Sequence, residues 1–256
     1  MLAIFKREFL QYFKSPVGYV AFGLFAFLSG FIFVQSLADR NVSIASEILS
    51  LRNFFVILVP VVTMGLLAED KKRGTDIIYY TSPISLSSVV LGKFLAAMSL
   101  FAVLFLNVII HIFVTLGFGG HVDSGVLGTA IVYFALAALF VSMGLFASSI
   151  TENQIISAIV SFILILAVQL LPTIGNFVST AVVKVMGVFG KPTQATQNNV
   201  SSKIISAFTW LDPFERTNTF RAGLFSFVAL FYCLSFAAFF LFLCYRILEK
   251  KRWSQK

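Results

Sequence analysis

The chain has 256 residues, of which 59% are hydrophobic and 12% charged, with a mean hydropathy of +0.94 and a formal net charge of +8. A soluble domain carries about twice that charged fraction, roughly 25%, so a single water-soluble core is excluded and lipid is the expected solvent. The positive charge does not point to nucleic acid, because no basic run exceeds three residues and the charges flank apolar stretches, where they act as orientation signals.

The pattern predicts an all-α integral membrane protein forming a single transmembrane domain over 1–256. In chain order, Leu2, Phe5, Phe9 and Phe13 recur at helical spacing, with Lys6, Arg7, Gln11 and Lys14 on the other face. This predicts an amphipathic helix over 2–14 lying in the interface plane, ended by Pro16. The first apolar run follows a charged segment and is long enough to span, so no cleavable leader is expected.

A transmembrane helix needs about 20 mostly apolar residues. Six stretches meet or approach this: 16–37, 53–68, 94–118, 126–147, 155–171 and 224–245. The second is short, extends upward through Ile48–Leu51, and is expected to kink at Pro60. Asp39, Arg40, Glu47 and Arg52 between the first two spans read as a solvated rim. Residues 174–190 contain Lys184 and three glycines and read as a re-entrant or surface-lying segment. The polar stretch from Lys191-Pro192 to Ser202 reads as a flexible excursion within an external loop over 172–223.

Six spans put both termini on one side. Segments 1–15, 69–93, 148–154 and 246–256 would share it and carry 12 Lys/Arg, against 7 on the opposite side. The positive-inside rule therefore places both termini, and region 69–93, in the cytoplasm.

Enzyme signatures are lacking. Gly92-Lys93 and Gly190-Lys191 have neither the upstream glycine nor the following Ser/Thr of a phosphate-binding loop. No zinc-ligand spacing occurs: there are two His, and Cys233 and Cys244 lie within one span. On a helix those cysteines stand about 16 Å apart, beyond disulfide reach. Asp212 and Glu215 flank Pro213 without a pocket-forming context.

Asn107, His111 and Thr115 line one stripe of the third span. Two readings stand for them: interhelical hydrogen-bond glue, or an intramembrane polar path.

The most informative stretch is the charged island Glu69-Asp70-Lys71-Lys72-Arg73-Gly74-Thr75, followed by Thr81-Ser82-Pro83-Ile84-Ser85. It lies between membrane-length runs and reads as a docking surface for a soluble partner. This acidic-x4-Gly-Thr…Thr-x-Pro pattern resembles that of ABC-2 type transporter permeases, particularly the gliding-motility-associated subgroup. Lys6-Arg7-Glu8-Phe9 and Phe13-Lys14-Ser15-Pro16-Val17-Gly18-Tyr19 are similar to that subgroup's interfacial (elbow) helix and entry to the first span. Gly144 to Gln154, Leu211 to Arg216 with Phe220 to Gly223, and the tail Leu248 to Trp253 resemble later family segments in the same order. Asp76 directly after Thr75, and Ile77-Ile78 in place of a leucine pair, depart from the pattern.

The resemblance implies a multi-pass permease of the bacterial cytoplasmic membrane, exporting a substrate and paired with a second permease copy or paralogue. Two separate cytoplasmic ATPase subunits would supply the energy, with ATP and Mg bound there and no cofactor on this chain. A coupling helix within 69–88 would engage the ATPase through Glu69, Lys71, Lys72, Arg73, Gly74, Thr75, Thr81 and Pro83. Thr151, Glu152 and Asn153 would form a second cytoplasmic contact. The alternative is a non-transporting subunit that passes ATPase motion to an external or membrane-anchored protein docked on 172–223. A membrane enzyme would need acid/base residues that the sequence does not present.

Overall fold

The computed structural model describes residues 1–39, 42–81, 84–122, 125–190, 193–218, 220 and 226–254; Arg40, Ser82, Pro83, Lys191, Pro192 and 221–223, named above, lie outside them. All regular structure among the described residues is helical. The first helix, α1 (Leu2–Lys14), is amphipathic as its spacing predicts, and stacks Phe5 on Phe9 at 5.9 Å. Its buried face carries Glu8 and Tyr12, and the Tyr12 hydroxyl donates to the Val62 carbonyl at 2.9 Å. Ser15 is extended and Pro16 opens the next helix, because proline restricts the preceding residue to extended backbone and suits the first helical position.

Helix α2 (Pro16–Ala38) buries Gly18, Ala21, Phe25, Ser29 and Phe33, a stripe at nearly four-residue spacing, and exposes Tyr19, Phe27, Phe31 and Val34. An apolar outer face of this kind is suited to lipid.

The second apolar segment begins earlier than the sequence suggests. It comprises α3 (Ile44–Leu51), a 3₁₀ turn at Arg52–Phe54, α4 (Phe55–Thr63) and α5 (Ala68–Lys72), and is long and apolar enough to cross a membrane. Helix α4 runs through Pro60, while the irregular backbone falls at Arg52–Phe54 and at the turn over 64–67. A short helix α6 (Ile77–Thr81) follows.

Helix α7 (Leu86–Gly117) starts eight residues before the expected 94, which draws Lys93 into its interior. Helix α8 (Gly125–Ile150) is the central element: 78% of its apolar window is buried, against 22% for the final helix. A Cβ on Gly144 would collide with Thr63 Oγ1, so glycine sets the closeness of α8 to α4.

Helices α9 (Gln154–Gln169) and α10 (Leu171–Phe189) form a pair bent by 57°. The region expected as a flexible excursion is instead helical, with α11 (Gln194–Leu211) packed along α10 and followed by α12 (Pro213–Thr217). Helix α13 (Phe227–Ser254) packs on α8 and carries the basic tail as continuous helix. Both cysteines are buried in it, unbonded. Among the described residues, five helices are long and apolar enough to cross a membrane, or six when the bent pair counts as one span.

Candidate functional site

The island owes its shape to short-range hydrogen bonding. Helix α5 has five residues, too few to stand alone, and depends on its caps. At its start, the Leu67 and Ala68 N–H groups both donate to Ser148 Oγ at 3.0 Å, and that hydroxyl donates to the Met64 carbonyl at 3.2 Å. Ser148 is fully buried in the last turn of α8. At its end, Gly74 has φ +68°, its N–H donates to the Lys71 carbonyl at 3.1 Å, and the Thr75 N–H donates to the Asp70 carbonyl at 2.9 Å. This is the paired bonding of a Schellman C-cap, which requires the left-handed backbone that glycine adopts without strain. Open space surrounds the position of a Gly74 Cβ, so backbone conformation selects the glycine. Thr75 Oγ1 adds bonds to the Asp70 carbonyl and to Asp70 Oδ1, both 3.2 Å. The Gly-Thr pair is thus a chain-reversal device that turns α5 into α6.

The island is anchored by Lys93, whose relative exposure is 0%. Its ammonium lies 2.9 Å from Glu8 Oε1 and 2.6 Å from Asp70 Oδ2, and donates to the Leu66 carbonyl. Arg7 completes the cluster, donating to Glu8 and, at 2.7 Å, to the Tyr79 hydroxyl, which donates to Asp70 Oδ2 at 2.7 Å. Two cations therefore face two carboxylates, and three segments meet at one ammonium. A buried charge is tolerated only when paired and hydrogen-bonded, and removal of one partner costs about 3–5 kcal/mol. Burial pushes the Tyr79 phenol above its ordinary range, with Lys93 opposing and Asp70 reinforcing the shift. The phenol therefore remains a proton donor to Asp70 at neutral pH.

A second set of contacts joins the island to the α8–α9 junction. Lys71 Nζ donates to the Ser149 carbonyl and, at 3.4 Å, to the Thr151 carbonyl, so a cation caps the carbonyl end of α8. Asn153 caps α9 by accepting from the Ile155 N–H at 2.9 Å. Glu152 is exposed and pairs with Lys251 at 3.2 Å, bringing the basic end of α13 to the same place.

The family model described as ABC-2 family transporter protein matches residues 2–253. The chain belongs to this family. It is a multi-pass membrane protein and the permease component of an ABC transporter, a class that partners with a cytoplasmic ATPase. A search of curated proteins finds no significant match.

Within this permease the residues expected to couple divide into two groups. Glu69, Lys71 and Thr75 are half-buried: Glu69 accepts from Gln11 at 3.5 Å and makes a surface pair with Arg73, while Lys71 and Thr75 make the bonds above. Lys72, Arg73, Gly74 and Thr81 are exposed, together with Ile77 and Ile78. Thr81 Oγ1 donates within its own helix, to the Ile77 carbonyl at 3.0 Å, and Pro83 lies outside the described residues. A cavity of about 510 Å³ lies between α1 and the α4–α5 bend, bordered by Gln11, Lys14, Glu69, Arg73 and Gln154.

Glu8, Asp70, Tyr79, Lys93 and Ser148 are not among the individual site residues that the sequence points to. The signal for the network was a lysine in an otherwise apolar helical run, which demands a carboxylate partner. Two acids, Glu8 and Asp70, stand on adjoining segments.

The permease's intramembrane stripe also separates. His111 Nδ1 lies 2.7 Å from Glu47 Oε1, and its ring stacks on Phe33 with centroids 4.2 Å apart. Thr115 Oγ1 donates to the His111 carbonyl at 2.8 Å within α7, and Asn107 Nδ2 is buried without a hydrogen-bond partner among the described residues. Glu47, read from sequence as part of a solvated rim, is 2% exposed, because the early start of the second segment carries it into the packed helices. Arg52 likewise points inward to Thr217 Oγ1 at 3.1 Å and Asn218 Oδ1 at 2.9 Å, with its guanidinium over Phe214.

Proposed function

We propose that the chain is the transmembrane subunit of an ABC-2 exporter, working with a second permease copy or paralogue and driven through α5–α6 by separate ATPase subunits. The observation that carries this reading is the two-sided island. Its outer face, with Lys72, Arg73, Ile77 and Ile78, is exposed, while its inner face is fixed to α1, α7 and α8. A partner that pushes on such a face moves three segments at once, which suffices to transmit a two-state change. The Lys/Arg bias supports cytoplasmic termini and a cytoplasmic island. The amphipathic pattern of α1 supports a place in the bilayer interface, and the order of the motifs supports the gliding-motility-associated subgroup and a bacterial inner membrane. Thr151, Glu152 and Asn153, gathered beside Lys71 and Lys251, would form the second ATPase contact.

The test is co-purification with the cognate ATPase and its activity in proteoliposomes. ATPase stimulation that requires the exposed face supports this function, and stimulation indifferent to it counts against it.

A second reading, a subunit that passes motion to an external partner without transport, is favoured by one feature. Helix α11 contributes no buried residue, and the α10–α11 pair packs mainly along itself. Binding of an external protein to 172–223, with ATP turnover but no substrate movement, would favour it.

A further inference from the structure

We propose that the cavity between α1 and the α4–α5 bend holds the headgroup of a zwitterionic phospholipid ending in a primary amine, with its phosphodiester on Lys14 and its ammonium on Glu69. The cavity has a volume of about 510 Å³, within the range of about 300–1,000 Å³ usual for small-ligand sites. Its lining divides by chemistry. Gln11, Lys14, Glu69 and Gln154 belong to the polar part, while Val17 of α2 and Val61 of α4 belong to the apolar wall. Lys14 is the last residue of α1 and Val17 the second of α2, so the cavity straddles the change from an amphipathic helix to a spanning one. In a bilayer that is the depth at which headgroups give way to acyl chains. The assignment rests on the interfacial place of α1 proposed above and is independent of how the ATPase is engaged.

The charges select the headgroup. Of the charged residues around the cavity, Glu8 is paired with Lys93, and Glu69 Oε1 with Arg73. Glu69 Oε2 meets Gln11 Nε2 at 3.5 Å, the long limit of a hydrogen bond, so this oxygen keeps acceptor capacity toward the cavity. A Cβ on Gly65 would come within 3.2 Å of Glu69 Oε2 and 3.6 Å of Gln154 Nε2, so carboxylate and amide converge over a residue without a side chain. Lys14 is exposed where it borders the cavity, and its ammonium is a donor. A primary ammonium can donate to Glu69 Oε2, and phosphate oxygens, which only accept, suit Lys14 and the Gln154 amide. The cavity is bordered by two carboxylates, Glu8 and Glu69, and two cations, Lys14 and Arg73. An anionic headgroup would therefore bring a charge that the lining does not balance, since such lipids call for clusters of Lys and Arg. A choline headgroup has no N–H to offer Glu69.

Phosphatidylethanolamine, phosphatidylcholine and phosphatidylglycerol with the same acyl chains are offered in equal amounts to the detergent-purified full chain, and retained lipid is read by native mass spectrometry. Phosphatidylethanolamine should be retained about tenfold over the other two. Glu69→Gln should abolish that preference, and Gln154→Trp, which fills the cavity, should lower retention itself. Equal retention of the three lipids, or a preference for phosphatidylglycerol, overturns the proposal. So does phosphatidylethanolamine retention that Gln154→Trp leaves unchanged. Displacement by soluble glycerophosphoethanolamine at the lipid's own concentration would assign the cavity to a water-soluble ligand and also overturns it. A phosphatidylethanolamine with a photoactivatable diazirine high in its acyl chain, incorporated in nanodiscs, tests the cavity apart from the placement of α1. Label on Leu10 and Phe13, exposed on α1, reports the interfacial helix. Label on Val17 and Val61 that excess phosphatidylethanolamine blocks and phosphatidylcholine does not reports the cavity. Label on Leu10 and Phe13 alone overturns the lipid site while keeping the interfacial helix; label on neither pair removes both. Should the variants fail to fold, the wild-type preference and its labelling pattern decide.

Discussion

Lys93 Nζ lies 2.6 Å from Asp70 Oδ2, so a lysine sealed inside α7 holds a carboxylate of the charged island in place. Glu8 from α1 takes the same ammonium at 2.9 Å. The position of the island is therefore set from within the helix packing, and its outer face is left open.

Lys93→Met should destabilise the permease by about 3–5 kcal/mol, since Glu8 and Asp70 lose a shared buried partner. Adding Glu8→Gln and Asp70→Asn should recover much of that loss, because no uncompensated charge then remains. Thermal unfolding in nanodiscs checks both; a silent Lys93→Met would show that the cluster does not hold the island.

Gly74→Val should cost about 1–2 kcal/mol locally, as a β-branched residue is forced into left-handed backbone. Gly74→Asn should cost less, because asparagine tolerates that conformation. Membrane insertion should be unchanged in both, with ATPase stimulation reduced in the valine variant. Equal stimulation in all three proteins would show that the chain reversal is not needed for coupling.

Ser148→Ala leaves the Leu67 and Ala68 N–H groups without their acceptor, at about 1–3 kcal/mol for each buried donor left unsatisfied. Hydrogen exchange at those amides should accelerate while exchange in the middle of α8 stays slow. Unchanged protection at 67 and 68 would mean that the cap does not control the start of α5.

Tyr79 carries a pH prediction. Burial raises its phenol above the ordinary value of 10.0, so the folded state keeps a proton that the unfolded state gives up. The stabilisation is complete below about pH 10 and is lost as pH rises through the folded value. Wild type should therefore lose stability more steeply than Tyr79→Phe on the alkaline side of pH 10. Parallel alkaline unfolding curves would contradict this.

The helical class and the apolar segments were legible in the sequence because hydropathy and helical period report directly on lipid-facing surface. Boundaries were less so. The expected start of the third span at 94 followed from counting Lys93 as a loop charge, whereas its partners Glu8 and Asp70 allow α7 to begin at Leu86. Glu47 was misread for the same reason: its partner His111 is 64 residues away, and single-sequence patterns do not reveal such pairs. The polar composition of 191–202 suggested a flexible segment, yet 194–211 form a helix along α10. Gly74-Thr75 was recognisable as a motif, but its meaning as a helix cap emerged only from the φ angle and the two backbone bonds.

The central claim is that the outer face of α5–α6 receives the ATPase. The most direct measurement compares wild type with Lys72→Glu/Arg73→Glu/Ile77→Asp, purified with the cognate ATPase, for subunit retention and ATP turnover. These side chains are exposed or make only a surface pair, so insertion and melting temperature should hold while ATPase retention and stimulation fall at least tenfold, equivalent to about 1.4 kcal/mol of binding. Full retention and full stimulation by a correctly inserted triple variant would contradict the account.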